Sequence, residues 1–66
     1  MFKLNYYYKK KYSYMSQSEF AKFLGLSQSF VNQLINGKRM PSAEVLFLIS
    51  EKINVPVYEL YIRKTG

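Results

Sequence analysis

Four polar side chains in the middle of the chain have the chemistry to read the edges of nucleic-acid bases. A Gln or Asn amide carries both a donor and an acceptor, which suits a bidentate contact with adenine, and a Ser hydroxyl can contact several bases. The candidates for base contacts are Gln28, Ser29, Asn32 and Gln33. Phe30, which lies among them, could touch a thymine methyl or simply pack against the first helix. The alternative interpretation is that these four residues are ordinary solvated polar positions.

A second set of side chains could hold phosphate oxygens. Gln17 stands at the start of a predicted helix, where free backbone N–H groups and the helix dipole favour an anion. Asn36, Lys38 and Arg39 follow the polar run and could contact the strand on its far side. Contacts of this kind fix the register of a protein on a nucleic acid but do not read its sequence.

Positioning these side chains requires two helices that cross closely, and residues 17–36 have the spacing for it. Ala21 keeps the first helix thin at the crossing, Gly25 suits a left-handed C-terminus, and Val31 packs from the second helix. This pattern indicates a helix-turn-helix unit with its recognition helix at about 28–36, although an ordinary αα-hairpin shares part of it. The predicted core positions of this unit are Phe20, Leu24, Leu26, Val31 and Leu34.

The predicted ends of these two helices carry local signals of their own. Ser16 and Glu19 have the spacing of a capping box, in which each side chain accepts a hydrogen bond from the backbone of the other residue. Ser27 is placed to cap the second helix, and Gly37 is placed to end it in the left-handed conformation.

Three further helices are predicted around this pair. Leu4, Tyr8 and Tyr12 recur at helical spacing, which predicts a first helix over about 3–12. A fourth helix is expected over about 43–53, and Pro56 is expected as the first residue of a short last one. The inner stripe of the fourth helix would be Ala43, Leu46, Ile49 and Ile53. The predicted fold class is therefore all-α, with about five helices in one domain over residues 1–66.

The net charge of +6 is unevenly distributed along the chain. Residues 1–43 contain seven Lys and Arg residues but only one acidic residue, whereas residues 44–66 are neutral overall. All of the excess charge thus lies on the half that contains the helix-turn-helix unit, as expected of a phosphate-binding surface. A basic balance alone is weak evidence for nucleic-acid binding.

The composition also excludes several kinds of site. The chain contains no Cys, no His and no Asp, and its four Glu residues are dispersed. We therefore expect no disulfide, no metal site, no cofactor and no enzymatic activity. Its apolar stretches are short and interrupted, so no signal peptide or membrane span is expected. The absence of cysteines fits a reducing, cytoplasmic environment.

Three segments resemble a known family: residues 15–29 (MSQSEFAKFLGLSQS), 36–42 (NGKRMPS) and 53–60 (INVPVYEL). Together they are similar to the Cro and lambda-repressor type of helix-turn-helix domain, the XRE-like family of bacteria and phages, and the resemblance runs from about residue 12 to 61. It implies a five-helix domain that binds operator DNA, normally as a dimer or on paired half-sites.

Two residues depart from the pattern of that family. Ile35 stands where members commonly have Glu, and the first helix offers Tyr and Lys instead of the Arg that often pairs with it. Replacing an ion pair by apolar packing can be neutral or stabilising, so this departure does not argue against the fold. Phe30 stands where the family usually has a small or hydroxylated residue.

The expected function is that of a small phage or mobile-element repressor that occupies a promoter operator through major-groove contacts with double-stranded DNA. The alternative is an antitoxin-like or anti-repressor-binding protein, whose main partner is a regulatory protein and whose DNA binding is autoregulatory. Surplus apolar residues motivate this alternative, although a homodimer explains them equally well: Val45, Phe47, Leu48, Tyr58 and Tyr61.

The segment from Tyr6 to Lys11 (YYYKKK) carries a further pair of alternatives. Aromatic and basic residues together can stack on the bases of single strands. The tyrosines could instead form a packed helix face with wet hydroxyl groups, while the lysines approach phosphates.

Overall fold

The computed structural model describes residues 2–62, and five helices account for most of them. An isolated antiparallel bridge between Phe2 and Tyr61 is the only β-type pairing within this range. The predicted all-α, five-helix fold is confirmed. The helices are α1 (Leu4–Lys11), α2 (Gln17–Leu24), α3 (Gln28–Ile35), α4 (Ala43–Ile53) and α5 (Val57–Leu60).

One hydrophobic core joins all five helices. Phe20 of α2 lies at its centre and is fully buried; its ring centroid is 4.8 Å from that of Tyr8 and 5.4 Å from that of Tyr12. The predicted stripe of α1 therefore faces inward, with Leu4 fully buried and the two tyrosines half-buried. The buried residues are Leu4, Phe20, Ala21, Leu24, Val31, Leu34, Ile49, Ile53, Val55 and Leu60.

A tight turn connects α1 to α2. The N–H group of Met15 donates to the carbonyl of Tyr12 at 3.0 Å, and the hydroxyl of Tyr8 donates to the carbonyl of Met15 at 2.6 Å. α2 then begins with the predicted capping box: the N–H of Glu19 donates to Ser16 Oγ at 3.1 Å, and the N–H of Ser16 donates to Glu19 Oε1 at 2.9 Å. The end of α1 is thereby held beside the start of α2.

The crossing of α2 and α3 is built as predicted. Gly25 adopts a left-handed conformation with φ of 78°. Its N–H donates to the carbonyl of Lys22 at 3.1 Å, and the N–H of Leu26 donates to the carbonyl of Ala21 at 2.9 Å, which satisfies the last carbonyls of α2. Ala21 is only 2% exposed, as expected of a small side chain at the crossing.

α4 has the predicted bounds, but two details at the helix starts were predicted wrongly. Ala43 is exposed because it is the first helical residue after the cap Ser42, outside the packed part of α4. Pro56 precedes α5 instead of opening it: its backbone is extended, with ψ of 146°, and its carbonyl accepts the first hydrogen bond of the helix. Between α4 and α5, Asn54 takes the left-handed conformation with φ of 57°.

Within residues 2–62, none of the helices has both the length and the apolar character that crossing a membrane requires.

Candidate nucleic-acid interface

The side chains at the start of α3 are exposed and have no partner among residues 2–62. Ser27 caps the helix by accepting a hydrogen bond from the N–H of Phe30 at 3.2 Å. Gln28 and Ser29 follow in the first turn, and neither side chain forms a hydrogen bond among the described residues. Both keep their full hydrogen-bonding capacity for a ligand, which base contacts require.

The middle of α3 is different, because its amide groups are already joined to one another. Asn32 Nδ2 donates to Gln17 Oε1 of α2 at 2.9 Å, and Asn36 Nδ2 donates to Asn32 Oδ1 at 3.0 Å. We refer to Gln17, Asn32 and Asn36 as the amide chain. It brings two of the predicted phosphate-binding residues together with one predicted base-reading residue, and it occupies both ends of the Asn32 amide.

A second assembly forms at the end of α3, where the chain turns back. Arg39 Nη1 donates to Gln33 Oε1 at 3.4 Å, and the guanidinium carbon of Arg39 lies 5.3 Å from the centroid of the Phe30 ring. Phe30 is half-buried and packs against the core. The ring therefore serves as a platform for the arginine, a cation–π arrangement, and the arginine in turn holds the carbonyl side of Gln33.

The loop after α3 begins with Gly37 in the left-handed conformation, with φ of 72°. The N–H of Lys38 donates to the carbonyl of Gln33 at 2.9 Å, which ties the loop to the helix. The side chain of Lys38 is exposed and has no partner among the described residues. Just before this loop, Ile35 is half-buried and packs against the core, as the departure from the family pattern implied.

The electrostatics of this surface come from its flanks. α3 itself contains no charged residue, and Lys38 and Arg39 follow in the loop after Asn36 and Gly37. Glu19 at the start of α2 is the only acidic residue before Glu44. The backbone N–H of Ser16, followed by its hydroxyl, holds the pKa of Glu19 below its usual range, so this carboxylate is engaged in the cap and remains ionised at neutral pH.

No group of three or more metal-ligating side chains comes together in the part of the chain that the structure describes. What the sequence did not reveal is the pairing among the candidates. Gln17 and Asn32 are 15 positions apart and meet only because α2 and α3 cross. The sequence did carry one signal: amides that are four positions apart along a helix and its C-cap, as Asn32 and Asn36 are, can hydrogen-bond to each other.

The comparisons with known proteins agree with this geometry. The helix-turn-helix family matches residues 13–60. The chain is also similar to the ImmF control region 10 kDa protein of Bacillus phage phi105, at 36% identity over 47 residues that cover 71% of this chain and 52% of that protein. The match thus spans about half the length of the curated relative. No solved structure matches at a significant level. Because the family match extends from the turn after α1 to the end of α5, this chain belongs to the XRE-type helix-turn-helix family of DNA-binding regulators.

Proposed function

We propose that this chain is a sequence-specific repressor of the phage or mobile-element type, which occupies a promoter operator with α3 in the major groove of double-stranded DNA. The observation that carries the proposal is the contrast along α3. Gln28 and Ser29 are exposed and unpaired, while the residues suited to the DNA backbone are already assembled beside them. In helix-turn-helix binding, the N-terminal residues of the second helix are the ones that meet base edges.

The phage relative supports a regulatory function of this kind. Its name assigns it to the ImmF control region of the phage. Since the match covers about half of that relative, its role is transferred to this chain only as part of the proposal.

The hydrogen bonds distinguish the four proposed base-reading residues. Gln28 has both amide ends free and suits adenine in bidentate fashion, and Ser29 contacts either an adjacent base or a phosphate. The carbonyl of Gln33 is held by Arg39, so its NH₂ group is left to donate to an acceptor such as guanine O6 or thymine O4. Asn32 retains only one free N–H and acts mainly by orienting its two neighbours.

Four residues are proposed to hold phosphates on either side of α3. Gln17 keeps its NH₂ group for a phosphate at the start of α2, and Asn36, whose Nδ2 already donates to Asn32, has one N–H left for a phosphate at the end of α3. Lys38 supplies an unpaired ammonium group, and Arg39 has donors left beyond the one used by Gln33. The exposed part of the Phe30 ring is left to meet a thymine methyl.

We further propose that residues 1–66 act as one DNA-binding domain that pairs as a homodimer on the operator. Phe47 of α4 is 60% exposed and Tyr58 of α5 is 76% exposed, which leaves apolar surface on the side formed by these two helices. A two-fold dimer would read half-sites about one helical turn apart, roughly 34 Å. Val45 packs against the core and Tyr61 lies 6.4 Å from Phe2 between ring centroids, so these two surplus apolar residues are used internally.

The same exposed rings favour the alternative proposal, in which another protein is the main partner and DNA binding is autoregulatory. Measuring the molecular mass in solution, with and without the proteins encoded nearby, separates the two. A stable 1:1 complex with such a protein supports the alternative, and a self-association that none of them disturbs supports the homodimer.

The central experiment is selection of bound sites from random duplex DNA, followed by footprinting and affinity measurements on variants. Gln28→Ala should lose about 1–3 kcal/mol on the selected site and hardly change binding to unselected DNA. Lys38→Ala should weaken both and flatten the salt dependence, whereas Lys52→Ala on α4 is the matched control without effect. Recovery of no common site would overturn the proposed function, and an equal loss for Gln28→Ala on both DNAs would overturn its base-reading role.

A further inference from the structure

The outward surface of α1 carries positive charge that the interface described above does not use. Four of the ten Lys and Arg residues lie on or beside α1, and the first acidic residue of the chain is Glu19. Residues 12–43, which contain α2, α3 and the loop that follows, carry three Lys and Arg residues and that one Glu. The larger share of the charge in the basic half thus lies outside the helix-turn-helix unit.

The lysines of this surface are organised around two tyrosine rings. Tyr6 and Tyr7 pack edge to face, with centroids 5.0 Å apart. The ammonium groups of Lys3 and Lys10 lie 5.2 and 5.4 Å from the centroid of Tyr6, and that of Lys11 lies 6.0 Å from Tyr7. Lys10 Nζ also donates to the hydroxyl of Tyr6 at 3.2 Å. We call these five residues the α1 patch.

This arrangement argues against stacking on single-stranded bases. A base needs an open ring face, but two ammonium groups lie over Tyr6, and Tyr7 is engaged by Tyr6 and Lys11. Stabilisation of the helix dipole does not account for the patch either. Cations favour a helix C-terminus, which suits Lys10 and Lys11, but Lys3 is at the N-cap position of α1, where a cation is unfavourable.

The α1 patch lies close to the proposed DNA interface, because the end of α1 is held beside the start of α2. The turn from Tyr12 to Met15 and the hydrogen bond from Tyr8 to Met15 hold the end of α1 beside the start of α2. Gln17, a proposed phosphate contact, is in the first turn of α2. The end of α1, which carries Lys10 and Lys11, therefore lies near the proposed phosphate contact at the start of α2.

We propose that the α1 patch contacts the phosphate backbone of duplex DNA flanking the base pairs that α3 reads. The partner is a polyanion with regularly spaced charges, which matches several ammonium groups held along one helix. At 1.5 Å per residue, α1 is about 12 Å long, comparable to three or four base-pair steps of about 3.4 Å. This inference rests on the proposed function, since it adds a second contact to the same complex.

The test compares the salt dependence of binding for the wild-type chain and a Lys10→Gln/Lys11→Gln double variant. The DNA is the duplex site recovered by selection, with and without additional flanking base pairs. The slope of log K against log salt should fall by about 0.9 per lost phosphate contact, or roughly two for the double variant. Lys52→Gln is the matched control, because Lys52 is also an exposed lysine in the last turn of a helix.

Each outcome separates this inference from the function on which it rests. Removing the flanking base pairs should weaken wild-type binding and leave the double variant unaffected. If the wild type binds its selected site but the double variant keeps the same slope as Lys52→Gln, the α1 patch is not a DNA contact, while the proposed function stands. If a single strand of the same length competes better than the duplex, the tyrosines stack on bases and the inference is wrong. If selection recovers no site, the proposed function fails, and the two slopes are then compared on random-sequence duplex.

Discussion

The two ends of α3 differ in how far their side chains are held by other residues of the protein in the absence of DNA. At the N-terminal end, Gln28 and Ser29 are exposed and have no partner among the described residues. From the middle towards the C-terminal end, Asn32 is held from both sides by amides, and Gln33 is held by Arg39. Both ends belong to one eight-residue helix, so the difference comes from what packs beside them.

This difference has an energetic consequence for recognition. Ordering a free side chain on binding costs about 0.5–1.5 kcal/mol, whereas a side chain that is already held avoids most of that cost. A held amide has fewer free donors and acceptors, however, and so discriminates less among bases. The structure thus favours sequence reading at the start of α3 and placement on the backbone at its end.

The largest expected effect is on the stability of the fold that holds both ends of α3 in place. Leu34 is 3% exposed and anchors the C-terminal half of α3 in the core. Leu34→Ala should lower the free energy of unfolding by about 2–5 kcal/mol, because it removes buried methyl groups and leaves a cavity. Urea unfolding followed by circular dichroism measures it. Ser29→Ala, an exposed change on the same helix, should stay within about 0.5 kcal/mol. Equal stability of the two variants would show that α3 is not anchored there.

A smaller effect, on the affinity for DNA, should distinguish the two ends of α3 directly. Asn32→Ala removes the middle of the amide chain and with it two hydrogen bonds, each worth about 0.5–1.5 kcal/mol and less in an exposed position. We expect affinity for selected and unselected duplexes to fall together, because Gln17 and Asn36 lose their orientation.

Gln28→Ala, which also removes an amide from α3, is the control for this pair and should affect the selected site alone. Fluorescence anisotropy with both duplexes distinguishes the variants. If Asn32→Ala instead reduced affinity only for the selected site, Asn32 would be a base-reading residue, and the contrast between the ends would be lost.

The smallest expected effect is a pH dependence of stability. It arises from Glu19 at the start of α2, the helix that carries Gln17. The pKa of Glu19 is lowered in the folded chain by the N–H and hydroxyl of Ser16, so the cap contributes fully above the ordinary pKa of about 4.5. That contribution is lost as the pH falls through the lowered pKa. Acid should therefore loosen the start of α2, whereas α3, capped by Ser27 alone, has no carboxylate to titrate at its start.

The measurement is the urea midpoint at pH 7 and pH 3 for the wild type, Glu19→Gln and Glu51→Gln. Glu19→Gln should be slightly less stable than the wild type at pH 7, and the difference should be smaller at pH 3. Glu51 is an exposed glutamate of α4 without a hydrogen bond in the described range, so its variant should follow the wild type. A constant difference between wild type and Glu19→Gln at both pH values would mean that the capping box does not titrate.

The parts of the fold that depend on neighbouring residues were predictable from the sequence. The capping box at Ser16 and Glu19, the left-handed Gly25 and the bounds of α4 all follow from signals within a few positions of one another. The exposure of Ala43 and the place of Pro56 were missed, because a helix end can shift by one residue without changing the apolar pattern.

Which residues form the candidate site was predictable from the sequence, but the contacts among them were not. The amide chain depends on the crossing of α2 and α3, and periodicity does not give a crossing distance between side chains that are 15 positions apart. The contact between Arg39 and the Phe30 ring likewise depends on the path of the loop after α3. The roles of the individual residues on DNA remain proposals that the binding experiments test.

The two glycines that shape the turn after α2 and the loop after α3 have one more consequence. Gly25 and Gly37 have φ of +78° and +72°, and a Cβ added at either would meet nothing within 4 Å. Glycine is favoured at these two positions by the left-handed backbone conformation and not by a lack of space for a Cβ. A mirror-image alanine prefers this backbone region, whereas its natural form is strained there. A chain of 66 residues is short enough for chemical synthesis, and D-alanine at both sites would restrict the unfolded chain towards the backbone region that the native turns use.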